Sequence, residues 1–345
     1  MHPADTTDIA DNAPAGAEVD PLVLRFLRLR EVLAAEVLGQ PALVERLLVA
    51  MLADGHLLVE GAPGLAKTTA IKALAARIEA DFHRVQFTPD LLPADLTGTE
   101  IYRPQDARFE FQPGPLFHNL LLADEINRAP AKVQSALLEA MGERQITVGR
   151  VTYPLPELFL VMATQNPIEQ EGTYPLPEAQ LDRFLMHVRI GYPQAESETG
   201  ILRLARERAL RELNADRVPV PAAMDRLSAD EIREARRRVL GLHLAPRLER
   251  YIIELVQATR DPRPYLPELA PMVAFGASPR GSIALERCAR ALAWLAGRDF
   301  VTPEDVQTIA PDVLRHRVLL SFEAEAEGLD SEAVVHRLLE RVPLP

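Results

Sequence analysis

The chain of 345 residues has a single cysteine, Cys288, so it cannot form an internal disulfide. Cys288 lies in an Ala- and Leu-rich helical stretch, which favours a small buried side chain over a catalytic thiol. Long apolar runs are also lacking, because none approaches the ~18 residues that a membrane-spanning helix needs. The first 20 residues contain no Lys or Arg and no apolar core. They show no signal peptide, and the sequence therefore predicts a cytoplasmic protein.

An excess of positive charge is lacking as well, since the formal net charge is -12 at pH 7. Binding to nucleic acid without sequence preference depends on clustered Lys and Arg. The charge balance therefore argues against nucleic acid as a partner. Hydrophobic residues make up 48% of the chain, which is enough to build a sizeable core, and the length suggests about two domains.

Three stretches of the chain differ in composition. Residues 1–20 are rich in Ala, Asp, Pro and Thr and lack aromatic residues, which predicts a disordered acidic tail. Residues 21–192 mix helical and strand patterns, as an α/β domain does. Residues 193–345 contain charged helical patterns almost throughout, which predicts a second, all-α domain.

A strand, a loop and a helix start follow one another between residues 57 and 69. The loop and Lys67-Thr68 fit the spacing G-x-x-x-x-G-K-[ST], except that Ala66 replaces the second glycine. Backbone N–H groups of such a loop surround a polyphosphate, the lysine reaches its terminal phosphates, and the Thr68 hydroxyl binds Mg²⁺. A loop that binds no nucleotide stays the alternative, since an isolated motif match can be false. The predicted nucleotide contacts here are Gly61, Ala62, Pro63, Gly64, Leu65, Ala66, Lys67, Thr68 and Thr69.

An acidic pair, Asp124-Glu125, directly follows the apolar strand Leu120–Ala123. In a P-loop ATPase, Asp124 would hold Mg²⁺ through its water shell, and Glu125 would orient and polarise the attacking water. The alternative is a solvated strand end without a catalytic role. The phosphate-binding motif upstream makes the catalytic interpretation much stronger.

Two further positions are predicted to flank the nucleotide. Asn166 follows the apolar strand Leu158–Ala163, and the carboxyl ends of neighbouring parallel strands lie beside the ligand. Asn166 could therefore hydrogen-bond the γ-phosphate or the attacking water, although Asn before Pro also forms turns. Leu38 and Gly39 lie in a break between two helical stretches, and we expect that break to flank the adenine.

Two arginines are candidates for phosphate contacts. Arg183 has two interpretations: an ion pair with Asp182 or Glu178, or an arginine finger that reaches the γ-phosphate of a neighbouring subunit. Arg280 lies at the start of a predicted helix that runs to about Gly297, and it could contact the γ-phosphate. The alternative for Arg280 is an ordinary exposed arginine.

Two hairpins are predicted outside the core pattern. Glu100–Tyr102 and Arg108–Phe111 alternate like paired strands, and so do Gln145–Val148 and Val151–Tyr153. The first hairpin lies in a long excursion rich in Pro, Gly and Asp. Long insertions of this kind in compact domains are usually functional or disordered.

Together, these motifs and their order resemble those of AAA+ ATPases, and within that class those of the MoxR family. Residues 61–68 resemble the family's Walker A motif, in which Ala is usual at position 66. Leu122–Ala129 resembles its Walker B motif, Ala163–Pro167 its sensor 1 and Ser278–Arg280 its sensor 2. Leu176–Phe184 resembles the segment that carries its arginine finger. The two hairpins match the helix-2 and pre-sensor-1 insertions of the clade that also holds magnesium chelatase and the MCM helicases.

The resemblance spans roughly residues 21 to 325. It implies an α/β AAA+ P-loop core with a parallel sheet flanked by helices over residues 21–192, and a C-terminal all-α lid domain over residues 193–345. It also implies ATP and Mg²⁺ as cofactors, hydrolysis to ADP and phosphate, and a hexameric ring. The work done would be chaperone-like remodelling of partner proteins, often ones with a von Willebrand A domain, sometimes with insertion of a metal or cofactor.

Other functions stay open on the sequence alone. A magnesium-chelatase-like ATPase subunit would be distinguished by the partner that raises its ATPase rate. An MCM-type motor would use the second hairpin as a DNA finger, but only Arg150 lies near its tip, with Arg144 at its base. A nucleotide-gated scaffold without hydrolysis is disfavoured by the intact acidic pair.

Overall fold

The computed structural model describes residues 20–105, 107–167, 172–213 and 226–345. The predicted disordered tail lies outside the described residues, apart from Asp20. Each helix in these ranges is too short or too polar to cross a lipid bilayer.

Helices and strands alternate in the first part of the chain, and helices dominate the second part. The elements of the first part are α1 (Pro21–Glu36), α2 (Pro41–Leu52), β1 (Leu57–Glu60), α3 (Lys67–Ala75), β2 (Phe82–Gln86), α4 (Pro93–Thr97), β3 (Gly98–Arg103), β4 (Arg108–Pro113), β5 (Leu120–Asp124), α5 (Ala131–Glu143), β6 (Gln145–Val148), β7 (Val151–Pro154), β8 (Leu160–Gln165), α6 (Glu178–Leu181) and β9 (Met186–Arg189). Those of the second part are α7 (Ala195–Leu213), α8 (Ala229–Gly241), α9 (Pro246–Arg260), β10 (Val273–Phe275), α10 (Pro279–Leu295), α11 (Pro303–Leu314), β11 (Leu319–Leu320), α12 (Phe322–Ala326) and α13 (Ser331–Arg341).

Five strands form one parallel sheet in the order β2-β5-β8-β1-β9. Strands β5 and β8 are apolar and buried almost throughout, as strands covered on both faces are. The strand ends meet at one edge, where Gln86 is in register with Asp124, and Glu60 with Gln165. Ligands of parallel α/β sheets bind outside this edge. The predicted parallel sheet flanked by helices is confirmed.

The described residues after position 193 are mainly helical, as predicted, with α10 packed against α8, α9 and α11. Trp294 of α10 meets Phe26 of α1 edge to face, with ring centroids 5.0 Å apart, so the two parts of the chain share a core. Cys288 on the same helix is fully buried, and burial raises the pKa of its thiol to about 12. The predicted buried position of Cys288 is confirmed. The short antiparallel ladder between β10 and β11 is an addition that the sequence patterns do not predict.

Helix α11 contains a proline in its interior. It begins with a capping box, in which Thr302 Oγ1 accepts from the Asp305 N–H at 3.4 Å. Pro311 lies inside the helix, which ends at Leu314. A proline removes one helical hydrogen bond, and the buried face of α11 compensates for that loss.

Both predicted hairpins are confirmed, and they contact each other. β3 pairs with β4 and β6 with β7, each antiparallel. The Phe111 and Tyr153 rings stack with centroids 4.2 Å apart, which ties the two hairpins together. At the base of the first hairpin, Gly98 has φ +89°, and a Cβ there would overlap the Gln112 carbonyl. Glycine is required at this turn for both reasons.

Candidate nucleotide site

A cavity of about 480 Å³ lies at the carboxyl edge of the central sheet. It is bounded by the loop after β1, the ends of β5 and β8, the turn between α1 and α2, and one side of α7. Most of the residues predicted to contact nucleotide line it: Leu38, Pro63, Gly64, Leu65, Ala66, Lys67, Thr68, Thr69, Asp124, Glu125 and Asn166.

Three predicted contact residues lie directly behind this lining. Gly39 has φ +78°, and a Cβ there would come 2.6 Å from the Pro193 Cβ. A Cβ on Gly61 would come 2.5 Å from Ile190 Cγ1, so the loop and β9 approach closely. Ala62 is buried, and its carbonyl accepts from Lys67 Nζ at 3.1 Å. These residues shape the cavity wall and hold the lysine over the loop.

The loop enters α3 through a left-handed residue at the position of the missing glycine. Ala66 has φ +59° and is the N-cap of α3. This conformation costs an L-residue roughly 1–2 kcal/mol, and β-branched or bulky side chains adopt it least readily. The N–H groups of the first turn, which begins at Lys67, are directed toward the cavity and favour an anion.

The carboxylate of Asp124 is held by two donors of different kinds. Oδ1 accepts from the Thr164 hydroxyl at 2.6 Å, and Oδ2 accepts from Arg84 Nη2 at 2.7 Å. The Thr164 oxygen also accepts from the backbone N–H of Glu125 at 2.9 Å. Thr164 therefore fixes the acidic pair from the neighbouring strand β8, and Arg84 on β2 stabilises the negative charge.

Glu125 has a strained backbone and a restrained side chain. Its φ is +58°, which places it in the left-handed region. Its Oε2 accepts from Gln86 Nε2 at 2.6 Å and lies 3.1 Å from Arg128 Nε. Strain of this kind persists where surrounding contacts over-determine a conformation, commonly at functional sites. The two contacts aim this carboxylate within the cavity.

The other end of the cavity is suited to a flat, apolar ring. Leu38, Pro193, Ile201 and Leu204 contribute apolar walls there. Gln40 closes the wall, because its Nε2 donates to the Gly191 carbonyl at 2.9 Å. The predicted position of the adenine beside the break after α1 fits this wall, and α7 adds a side that the sequence patterns did not indicate.

The donor set also fits a magnesium ion. Thr68 and Asp124 line the same cavity, and both offer oxygen, the donor that Mg²⁺ prefers. Among the described residues, no group of three or more His, Cys, Asp or Glu side chains could hold a metal ion by themselves. A single carboxylate with a hydroxyl suits a hydrated Mg²⁺ that is also bound by phosphates.

Arg183 and Arg280 line a second cavity of about 280 Å³, which shares no lining residue with the first. Arg183 Nη1 donates to the Leu138 carbonyl at 2.6 Å. Asp182, one of its predicted partners, instead lies 2.8 Å from Arg317 Nε and 3.4 Å from Arg280 Nη1. Burial lowers the pKa of Arg317, and the Asp182 carboxylate opposes that shift. Arg280 lies at the start of helix α10 beside Asp182, outside the lining of its own chain's nucleotide cavity.

Four polar residues of the site were not identified from the sequence: Arg84, Gln86, Arg128 and Thr164. The alternation of β2 puts Arg84 and Gln86 on the same face, but only the strand order places that face beside β5. Thr164 lies one strand further along, at the end of β8. Arg128 follows the acidic pair by three residues, in a 3₁₀ turn over Ile126–Arg128.

Comparisons with known proteins agree with this geometry. The family model described as "ATPase family associated with various cellular activities (AAA)" matches residues 56–186, and the AAA lid domain model matches residues 269–338. The chain is 45% identical to Chaperone MoxR1 of Mycobacterium tuberculosis, over 97% of this chain and 87% of that protein. It is 35% identical to Protein MoxR of Paracoccus denitrificans, over 93% of this chain and 96% of that protein. A crystal structure of a Cytophaga hutchinsonii protein, 45% identical, superposes with a TM-score of 0.85 over 94% of this chain and 96% of that one. The chain belongs to the MoxR family of AAA ATPases.

Proposed function

We propose that this ATPase binds Mg²⁺–ATP, hydrolyses it to ADP and phosphate, and uses the energy to remodel a partner protein. The observation that carries the proposal is the convergence of Lys67, Thr68, Asp124, Glu125 and Asn166 on one cavity. These residue types supply a cation for the phosphates, two ligands for Mg²⁺, a carboxylate that can activate water, and an amide that can hydrogen-bond the γ-phosphate or that water. They come from three places in the chain, the start of α3, the end of β5 and the end of β8, and only the fold brings these together.

Phosphate binding rests on the loop before α3. Lys67 and the N–H groups of the first turn of α3 hold the phosphate oxygens, while Thr68 and Asp124 would hold Mg²⁺. The metal, when bound, neutralises charge that develops on the phosphates. Thr164 keeps Asp124 oriented from the next strand, through its 2.6 Å hydrogen bond.

Water activation is the role of Glu125. Its carboxylate is aimed by Gln86 and Arg128, and its backbone is fixed through Thr164. Asn166, at the end of β8, lies where an amide can hydrogen-bond the γ-phosphate or the attacking water. Hydrolysis of this kind depends mainly on positioning and charge stabilisation, so loss of either residue should be severe.

Arg183 and Arg280 complete the site of a neighbouring copy. Both line a cavity separate from the nucleotide cavity of their own chain, which supports a role in trans for each. Arginine supplied from a second protein chain stabilises charge on a transferred phosphoryl group in related reactions. The assembly that places each second cavity against the next nucleotide is a ring, and we propose a hexamer.

The partner protein is proposed to contain a von Willebrand A domain, with metal or cofactor insertion as a narrower form of the same activity. One relative is named a chaperone, which supports a protein as the substrate of the mechanical work. The first hairpin also exposes Tyr102 and Phe109, with ring centroids 5.3 Å apart. Exposed paired aromatics are typical of protein-binding surfaces.

The substitution Glu125→Gln tests hydrolysis directly. It keeps the shape and the hydrogen bond from Gln86, and it removes the negative charge that polarises water. We expect ATP binding at the parental affinity and a turnover number at least about 100-fold lower. Glu340→Gln, on the exposed side of α13, is the matched control and should retain parental turnover. Parental turnover in Glu125→Gln would show that the assignment is wrong.

The same variant tests the proposed partner. Without hydrolysis, the partner complex should persist under ATP and dissociate under ADP. We expect affinity purification of Glu125→Gln from its native cells to enrich a von Willebrand A domain protein under ATP only. Enrichment that is equal under both nucleotides would contradict remodelling driven by ATP.

A further inference from the structure

The second cavity contains more arginine than its acidic residues can neutralise. It is formed by α10, the end of α5 and the segment before β9. Its charged lining consists of five arginines and two aspartates: Arg144, Arg183, Arg280, Arg287, Arg317, Asp54 and Asp182.

Both aspartates already have partners within the chain. Asp54 Oδ1 lies 2.7 Å from Arg144 Nη2 and 2.8 Å from Arg236 Nη1. Asp182 Oδ1 lies 2.8 Å from Arg317 Nε, and its Oδ2 accepts from the Ser278 hydroxyl at 2.9 Å. The positive charge of Arg183 and Arg287 is therefore not balanced by these carboxylates.

Arg287 is the least satisfied of the five arginines. It lies on α10 seven residues after Arg280, which is about two helical turns, so the two side chains project from the same face. The Arg287 side chain is half-buried, and within the described part of the chain no hydrogen bond or ion pair reaches its guanidinium. Arg183, by comparison, donates to a neutral backbone carbonyl.

A concave site with unbalanced guanidinium groups favours an anion that carries several oxygens. Partly burying a charge is costly unless it is paired, and an arginine fork matches phosphate oxygens in a bidentate geometry. A nucleotide bound in the first cavity of the same chain lies against a different set of residues. The anion must therefore come from another molecule.

We propose that Arg287 contacts the phosphates of the nucleotide bound by the neighbouring copy, as a third arginine beside Arg183 and Arg280. This inference rests on the proposed role of those two arginines in trans, and it adds a residue outside the motifs that indicated them. Arg144 and Arg317, already paired with aspartates, form the supporting wall. Each copy thus offers three cationic side chains to the next copy's phosphates.

The variants Arg287→Gln and Arg287→Lys test the contact. We expect Arg287→Gln to assemble normally and to bind ATP in its own cavity with parental affinity, but to turn over about 100-fold more slowly. Arg287→Lys keeps the charge and loses the two-pronged guanidinium, so its turnover should lie between that of the parent and that of Arg287→Gln. Arg250→Gln, on the exposed face of α9, is the control and should match the parent.

Mixing distinguishes action in trans from action in cis. Lys67→Ala copies cannot hold phosphate but carry an intact Arg287. When they are mixed with Arg287→Gln copies, interfaces form in which an intact nucleotide cavity faces an intact arginine. We expect turnover above the sum of the two separate preparations.

The outcomes separate this inference from the proposed function. Arg183→Ala is measured in the same series as a reference. The role of Arg287 is refuted if Arg183→Ala loses turnover while Arg287→Gln keeps it. It is also refuted if mixing with Lys67→Ala copies rescues Arg183→Ala but not Arg287→Gln. In both cases the ATPase proposal stands. Loss of assembly in Arg287→Gln would assign it to subunit contact instead. If Arg287→Gln does not fold, Arg287→Lys decides: reduced turnover in an intact assembly supports the contact, and parental turnover refutes it.

Discussion

Arg84 differs from the other residues around Asp124 in two ways. It forms an ion pair with the Asp124 carboxylate, and it lies at the solvent-exposed opening of the nucleotide cavity. Its side chain is 46% exposed, whereas that of Asp124 is 13% exposed. The guanidinium reaches inward from the edge strand β2 and also donates to Gln86 Oε1 at 3.0 Å. It therefore connects the residue that would bind magnesium with the residue that orients Glu125.

The substitution Arg84→Gln should destabilise the nucleotide-free protein. It leaves the largely buried Asp124 carboxylate without its cation, and we expect the free energy of unfolding to fall by about 1 kcal/mol. Urea denaturation in nucleotide-free buffer measures the change. Arg103→Gln breaks the more exposed ion pair between Arg103 and Glu110 and should cost less. An equal or smaller loss in Arg84→Gln would contradict this role of the ion pair.

At the residue scale, motif spacing was sufficient for some positions and not for others. Lys67 begins the helix after the loop that follows β1, and Asp124 ends the apolar strand β5. Both were predictable because each stands at a fixed place in a pattern whose chemistry is known. Gln86 and Thr164 act across strand boundaries, and one sequence does not reveal which strands are neighbours. The left-handed φ of Ala66 was likewise hidden, although the missing glycine marked that position.

Helix α5 is the element that positions Arg183. The Arg183 guanidinium lies over the last turn of α5, where Gly142 leaves space for it. A Cβ on Gly142 would overlap Arg183 Nη1, which is the far end of a flexible side chain. An added methyl group would therefore displace the arginine and leave the backbone unchanged.

The substitution Gly142→Ala should reduce hydrolysis without destabilising the fold. Alanine favours a helix over glycine by about 1 kcal/mol, so the melting temperature should hold or rise. Turnover should fall if Arg183 serves the neighbouring nucleotide, while ATP affinity stays at the parental value. Gly241→Ala, at the end of α8 with no atom within 4 Å of the new Cβ, is the control. Parental turnover in an assembled Gly142→Ala protein would show that the placement of Arg183 does not matter.

At the element scale, elements with a strong periodic pattern were predicted correctly, whereas very short elements were not. Both hairpins and the central strands β1, β5 and β8 were predicted because each alternates or is continuously apolar. The ladder between β10 and β11 has three and two residues, too few for a period to show. Pro311 lies inside α11 although proline removes a hydrogen-bond donor, because the buried face of the helix compensates for the loss.

A charged network connects the nucleotide loop to the helical region across the whole molecule. Glu60, the last residue before the loop, lies 2.8 Å from His187 Nε2, which holds the pKa of the carboxyl below its usual range. Arg189 lies 3.6 Å from Glu60 and 3.3 Å from Glu332 of α13. Arg315, directly after α11, lies 2.9 Å from the same Glu332. These contacts link the strand before the nucleotide loop to the ends of α11 and α13.

Under the proposed function, the two separate cavities make each chain half of two sites. One cavity carries the phosphate loop and the acidic pair, and the other carries the arginines proposed to serve the next copy. The sequence indicated Arg183 as an arginine that acts in trans and Arg280 as a second phosphate contact, and the structure places both beside Arg287 in one cavity. On the proposed function, a single copy binds ATP but lacks the groups that stabilise the transition state.

The most direct test of this shared site is one dilution series in which ATPase rate per chain and molecular mass are measured in the same samples at saturating Mg²⁺–ATP. We predict that the rate per chain falls steeply over the range in which the mass falls to that of a single chain, 38.2 kDa. A rate per chain that stays constant after the mass has reached the monomer value would contradict a site completed by a neighbouring copy.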